Sequence, residues 1–186
     1  MSQLTTSESN RYLKLLHLSV LTKGMPAVTP AFGAVCAEAG SVCLESRGHP
    51  CGVRMTVGGI YTDAYAVYWT CVNYQTKRCW NDIPVTTEHG AYGIAFLLIR
   101  LLTPFTVIER SRKGPGFDYW LGEEDDSLFQ KKARLEVSGI QCGTEGEVNS
   151  RVKQKLEQTN PSDQKGLPAY VVVVEFSRPA SKVVTK

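Results

Sequence analysis

Two segments of the chain carry most of the information about its architecture: ARLEVSGI at residues 133–140 and GFDYWLG at residues 116–122. In the first segment apolar and polar side chains alternate with a period of two, which predicts a β-strand. Glu136 stands in the middle of this apolar strand. The second segment is a short strand after a Gly/Pro turn, with Asp118 at its start. We therefore expect two neighbouring strands that each carry one carboxylate.

Working outward, the pattern predicts a helix before these strands and a helix and strand after them. The expected elements are a helix over 88–102 capped by Thr86 or Thr87, a strand at 105–110, strands at 117–122 and 133–140, a helix at 148–158, and a strand at 169–176 buried on both faces. The order is α, β, β, β, α, β.

The first half of the chain predicts a different set of elements. A short helix is expected at 11–21, a second helix at 26–47, a β-hairpin at 51–72 and a polar loop at 73–85. We predict an α/β (α+β) fold with a mixed central sheet flanked by helices. Its 186 residues fit one domain, in which residues 1–85 form a helical and hairpin extension and residues 86–178 form the core.

Composition excludes several classes of protein. A hydrophobic content of 42% and a charged content of 21% are those of a globular chain, and a net charge of +3 permits an anionic partner without requiring one. No apolar run is long enough for a membrane span, and the first residues do not resemble a signal peptide, so we expect a cytoplasmic protein.

The six cysteines have no zinc-type spacing, and Cys36 and Cys43 are expected in the core.

Two carboxylates on adjacent strands suit one chemistry in particular. Metal-dependent phosphodiester hydrolysis needs oxygen ligands converging on Mg²⁺, which polarises the phosphate and activates a water molecule.

The two segments resemble the signature of the restriction-endonuclease-like (PD-(D/E)XK) nucleases, and the resemblance covers about half of the chain. That family places an Asp on its second core strand and a (D/E)-x-K tripeptide on its third. The resemblance implies that Asp118 and Glu136 are catalytic metal ligands, with Glu88 on the preceding helix as a third ligand. It implies Mg²⁺ or Mn²⁺ as the cofactor, DNA more than RNA as the substrate, and a setting in a prokaryotic defence or mobile-element system.

One position departs from the family pattern: Ser138 stands where the family has its lysine. A serine can position a water molecule but brings no positive charge to the transition state. Either another lysine reaches the site, with Lys153, Lys113 and Lys155 as candidates in that order, or the domain is a catalytically inactive binding or assembly module.

The expected nucleic-acid contacts are basic and amide side chains around this core. They are Arg112 and Lys113 at a hairpin tip, and Gln154 and Lys155 on the later helix. The exposed hairpin and apolar first half are compatible with a homodimer or a partner protein.

Plainer interpretations stay open for each of these residues. Asp118 can simply close its turn, and Glu136 can pair with Arg134 or Arg110 on a solvated sheet face. An acid at the position of Glu88 is favoured by the helix dipole alone. Lys153 and Lys155, with Arg151, fit an ordinary solvated helix face.

Overall fold

The computed structural model describes residues 13–125 and 128–186, whose strands all join one eight-stranded sheet. Besides two 3-10 helices, Leu18–Lys23 and Asn160–Lys165, the elements in chain order are β1 (Lys14–His17), α1 (Pro30–Glu45), β2 (Val53–Gly59), β3 (Asp63–Tyr68), α2 (Tyr74–Cys79), α3 (Ile83–Leu102), β4 (Phe105–Arg110), β5 (Tyr119–Glu123), β6 (Ala133–Ile140), α4 (Glu145–Gln158), β7 (Ala169–Glu175) and β8 (Ala180–Thr185). The mixed α/β fold with a helix-flanked sheet is confirmed.

The sheet has the strand order β1-β3-β2-β8-β7-β6-β5-β4. Strands β4, β5 and β6 form an antiparallel meander, β6 and β7 are parallel, and β8 runs antiparallel to β7. Because β8 also pairs in parallel with β2, the predicted hairpin of the first half continues the same sheet. The predicted order α, β, β, β, α, β is found in α3, β4, β5, β6, α4 and β7.

Helices cover the two faces of this sheet. Along β7, Val172 and Val174 join the large apolar cluster that includes α3, whereas Val171 and Val173 pack against Val148 and Val152 of α4. Since successive strand residues point to opposite faces, α3 and α4 lie on opposite sides. The strand β7 is therefore buried on both faces, as predicted.

The helix α3 is held tightly between β6 and α1. A Cβ added at Gly139 of β6 would lie 2.6 Å from the backbone oxygen of Thr87, and one at Gly90 would lie 3.1 Å from Gly40 of α1. The glycines thus permit a close approach that larger residues would prevent. Among the described residues, no helix, α3 included, is both long enough and apolar enough to cross a bilayer.

Several local predictions were wrong. Residues 14–17 of the supposed helix at 11–21 form β1, with Leu15 exposed and Leu16 buried, and a 3-10 helix follows; residues 11 and 12 lie outside the described part. The cap of α3 is Asp82, whose side chain accepts a hydrogen bond from the Val85 N–H at 3.1 Å, and not Thr86 or Thr87. The loop predicted at 73–85 contains α2 and the start of α3, and β8 was not predicted at all.

Candidate functional site

A cavity of about 340 Å³ opens beside the second half of β6. Strand β5 starts at Tyr119, opposite Leu135, so the part of β6 from Glu136 onward borders this space. The cavity brings together residues from α3, β6, α4 and the residue before β5: Thr87, Glu88, Tyr92, Asp118, Glu136, Ser138, Arg151, Lys155 and Gln158. Most of the residues that the sequence nominated for chemistry therefore meet at one place.

Asp118 is fixed by hydrogen bonds from two elements. Its backbone N–H donates to the Leu135 carbonyl at 2.8 Å, which holds the residue against β6. Its Oδ2 accepts from the Val137 N–H at 2.8 Å, and its Oδ1 accepts from the Tyr92 hydroxyl at 3.2 Å. A side chain held on both oxygens keeps one direction, which here is into the cavity.

Glu136 is a buried carboxylate with unequal oxygens. The residue is 1% exposed, and its Oε1 accepts from Lys155 Nζ at 2.6 Å and from Gln158 Nε2 at 2.8 Å. Its Oε2 receives no hydrogen bond from any donor in the described part of the chain. The Asp118 carboxyl lies within hydrogen-bonding reach of the Glu136 carboxyl. A proton or a cation held between two such carboxylates would relieve their mutual repulsion.

The two acids change each other's protonation. Burial, and then the charge of Asp118, raise the pKa of Glu136 to about 7, against the opposing effect of Lys155. Burial also raises the pKa of Asp118, which the hydrogen bonds from Val137 and Tyr92 oppose. The pair therefore holds a proton close to neutral pH and can exchange it for a metal ion.

The side chains of α4 supply the positive charge. A capping box formed by Thr144 and Glu147 starts this helix, and Val148 and Val152 bury one stripe of it against the sheet. Arg151 and Lys155, four residues apart, share one flank of that stripe and both line the cavity. Arg151 donates to the Ser138 hydroxyl at 2.8 Å.

Of the three lysine candidates, only Lys155 is at the acids. Lys153 is exposed and does not line the cavity, and Lys113 is exposed in the loop between β4 and β5. The interpretation that Glu136 pairs with Arg134 or Arg110 on a solvated face is wrong, because Glu136 is buried and Arg134 pairs with Asp163 at 3.1 Å.

The side of the cavity formed by α3 carries Glu88 and Tyr92, one turn apart. Glu88 is exposed at the cavity, and the Tyr92 hydroxyl lies 3.3 Å from its Oε1 and 3.2 Å from Asp118 Oδ1. Burial, followed by the charges of Asp118 and Glu88, raises the pKa of Tyr92. The phenol therefore stays protonated, and its single O–H can donate to one carboxylate at a time.

The donor set suits a hard cation that keeps water ligands. No group of three or more His, Cys, Asp and Glu side chains within residues 13–125 and 128–186 is arranged to hold a metal. The structure thus brings Glu88 near the acids as a neighbour of Tyr92, rather than as a third member of such a group. Mg²⁺ is commonly held by one or two carboxylates with water and substrate phosphates completing the shell, and the pair Asp118 and Glu136 fits that pattern.

The remaining predicted contacts lie outside the cavity. Arg112, Lys113 and Gln154 are exposed, and none of them lines it. Sequence reasoning did not nominate Tyr92 or Gln158 at all, and treated Arg151 only as part of a basic helix face. The available signal was spacing: Tyr92 is one helical turn from Glu88, and Arg151 and Gln158 share a helix flank with Lys155.

Comparison of the chain with protein-family models, with curated proteins and with solved structures gave no match. The site's own chemistry therefore has to carry any functional conclusion.

Proposed function

We propose that this protein is a Mg²⁺- or Mn²⁺-dependent nuclease that hydrolyses phosphodiester bonds in nucleic acid. The observation that carries the proposal is the meeting of Asp118 with the buried Glu136, whose Oε2 has no donor among the described residues while Lys155 lies 2.6 Å from its Oε1. Two acids and an adjacent cation are the groups that metal-assisted hydrolysis of a phosphate ester requires.

Asp118 and Glu136 would hold the metal ion, which when bound polarises the phosphate and makes a hydroxide available near neutral pH. The surrounding residues would each have a separate task. Lys155 brings to the acids the positive charge that Ser138 cannot supply. The Ser138 hydroxyl accepts from Arg151 and so keeps its own proton free to orient a water molecule.

Arg151 and Lys155 also give the cavity a charge that suits a phosphate. A guanidinium and an ammonium on one wall favour the pentacoordinate transition state, with its extra negative charge, over the ground-state phosphodiester. Tyr92 keeps Asp118 aimed into the cavity by donating to its outer oxygen.

The finer assignments belong to the same proposal. DNA is favoured over RNA only through the family resemblance. Arg112 and Lys113, exposed between β4 and β5, are available to contact the phosphate backbone of the nucleic acid. A cytoplasmic location agrees with the six cysteines, which are all unpaired. A homodimer or a protein partner remains an expectation from the sequence.

A metal titration followed by calorimetry tests the proposal. Mn²⁺ or Mg²⁺ should bind the wild-type protein, and binding and plasmid nicking should be lost together in Asp118→Asn and in Glu136→Gln. Glu157→Gln, an identical chemical change on the exposed face of α4, is the matched control and should behave as wild type. Absence of metal binding at millimolar concentration would overturn the proposal, and binding without nicking would favour the inactive assembly module.

A further inference from the structure

A second pocket, of about 470 Å³, lies next to the acid cavity. We call it the Trp80 pocket; its lining includes Arg47, Lys77, Trp80, Asn81, Thr86 and Gln141. Its volume falls within the range of small-ligand sites, about 300–1,000 Å³. Four of these residues come from the first half of the chain, for which the acid site provides no role.

The Trp80 pocket and the acid cavity share a wall. Thr86 lines the pocket and Thr87, the next residue of α3, lines the acid cavity. The Thr87 hydroxyl donates to Gln141 Oε1 at 3.2 Å, and Gln141 Nε2 donates to the Ser46 hydroxyl at 3.2 Å. Gln141 thus stands between the two cavities, and a ligand that occupied both would have to pass over it.

The pocket offers two cations that the fold hardly uses. Arg47 is exposed, and its guanidinium forms no hydrogen bond or ion pair within the described residues. Lys77 has a side chain that is 57% exposed, and its Nζ forms a 3.7 Å ion pair with Glu45 Oε1, which contributes little because it is open to solvent. Both charges are available to an anionic ligand.

The aromatic side of the pocket is held in place. The indole Nε1 of Trp80 donates to Glu38 Oε2 at 2.8 Å, and the ring lies 5.7 Å from that of His89. An indole fixed in orientation beside cations and amides is the combination with which proteins hold an unpaired base and its phosphate.

We propose that the Trp80 pocket binds an unpaired nucleotide of the substrate, next to the phosphate at the acid pair. Its phosphate would lie against Arg47 and Lys77, its base against Trp80, and its polar edge near Asn81 and Gln141. This inference rests on the proposed function for its choice of ligand, and it assigns single-stranded nucleic acid as the substrate class.

Fluorescence anisotropy with a labelled single-stranded DNA of about 12 nucleotides, measured in EDTA so that no metal-dependent cleavage occurs, tests the pocket. Each cation lost should lower the slope of log K against log salt by about 0.7. Arg47→Ala and Lys77→Ala should both show that change. Arg54→Ala, which removes an exposed arginine of β2 outside this pocket, should not. Two further probes of the same base sequence, a single-stranded RNA and a blunt DNA duplex, identify the form of nucleic acid that the protein prefers. The duplex should bind more weakly than the single strand.

Tryptophan emission gives a second readout. The single strand should quench the wild-type emission, and Trp80→Phe should lose that quenching while keeping an aromatic surface for the base. Trp69 and Trp120 report the background.

The outcomes separate this inference from the nuclease proposal. Equal salt slopes for Arg47→Ala and Arg54→Ala, a duplex that binds as well as the single strand, or no single-strand binding at all would overturn the pocket assignment. If Arg47→Ala weakens binding but the protein binds no metal, the nuclease proposal falls and the pocket assignment stands.

Discussion

Glu136→Gln should abolish an unusual pH dependence of stability in the metal-free protein. Burial and the neighbouring Asp118 raise the pKa of Glu136 from its ordinary 4.5 to about 7. Between these pH values the folded chain holds a proton that the unfolded chain has released. The contribution of Glu136 to stability is therefore fully present below pH 4.5 and is lost as the pH rises through about 7.

The size of the effect follows from the same two pKa values. Each pH unit across this window corresponds to about 1.4 kcal/mol, so roughly 3 kcal/mol of stability is lost in total. For a chain of this length that loss lowers the Tm by about 6–12 °C. The wild-type protein should thus become less stable between pH 5 and pH 7.5, where many proteins are near their maximum.

Thermal unfolding followed by circular dichroism in EDTA, at half-unit steps of pH, measures this dependence. The difference between wild type and Glu136→Gln reports the acid pair, because glutamine cannot titrate and groups that do not contact the pair largely cancel. Glu157→Gln should track wild type. If the difference between wild type and Glu136→Gln is constant over this range, then Glu136 does not hold a proton near neutrality and the reasoning about the acid pair is refuted.

Three further outcomes are expected. Mn²⁺ affinity should rise about tenfold per pH unit below pH 7, since the ion displaces a proton from Glu136. Calorimetry in buffers of different ionisation enthalpy detects the released proton. An affinity that does not change with pH would contradict the exchange. Lys155→Met should slow single-turnover nicking about a hundredfold while Lys153→Met leaves it unchanged, and equal rates for the two variants would remove Lys155 from the mechanism. Cys36 and Cys43 should react with Ellman's reagent only in denaturant, because both are buried and burial raises the pKa of each thiol to about 12. Six fast-reacting thiols in the native protein would contradict their burial.

The strand pattern located the acids because a local rule was enough. Alternation along 133–140 puts Glu136 on the face of the sheet opposite to that of Leu135 and Val137. A carboxylate in so apolar a strand requires a hydrogen-bonding partner or a functional role. The bounds of β6 are those predicted. The approach of Asp118 to Glu136 was also predictable, because their two strands follow one another in the chain and consecutive strands of a meander pair with each other.

The lysine could not be chosen by local rules. Val148 and Val152 define the buried stripe of α4, and at 3.6 residues per turn Lys155 and Lys153 lie on opposite flanks of it. Which flank faces the acids depends on how the chain crosses the sheet between β6 and β7, and this is a tertiary property.

Long-range pairing explains the other differences. The sequence of β8 at 180–185 is short and half polar, and it becomes a central strand only because β2 and β7 lie on its two sides. Pro84 suggested a loop at 73–85, but proline is well accommodated in the first turn of a helix, and Asp82 caps α3 two residues earlier.

The energetics of Glu136 bear on whether the site is functional or belongs to a catalytically inactive module. A buried carboxylate oxygen without a donor costs about 1–3 kcal/mol, and a well-packed apolar residue at such a position is often as stable as a buried ion pair or more so. Lys155 and Gln158 both donate to Oε1, so they leave the penalty at Oε2 in place. A proton held by the acid pair removes this penalty below about pH 7, and a cation bound by Asp118 and Glu136 would remove it once that proton has left.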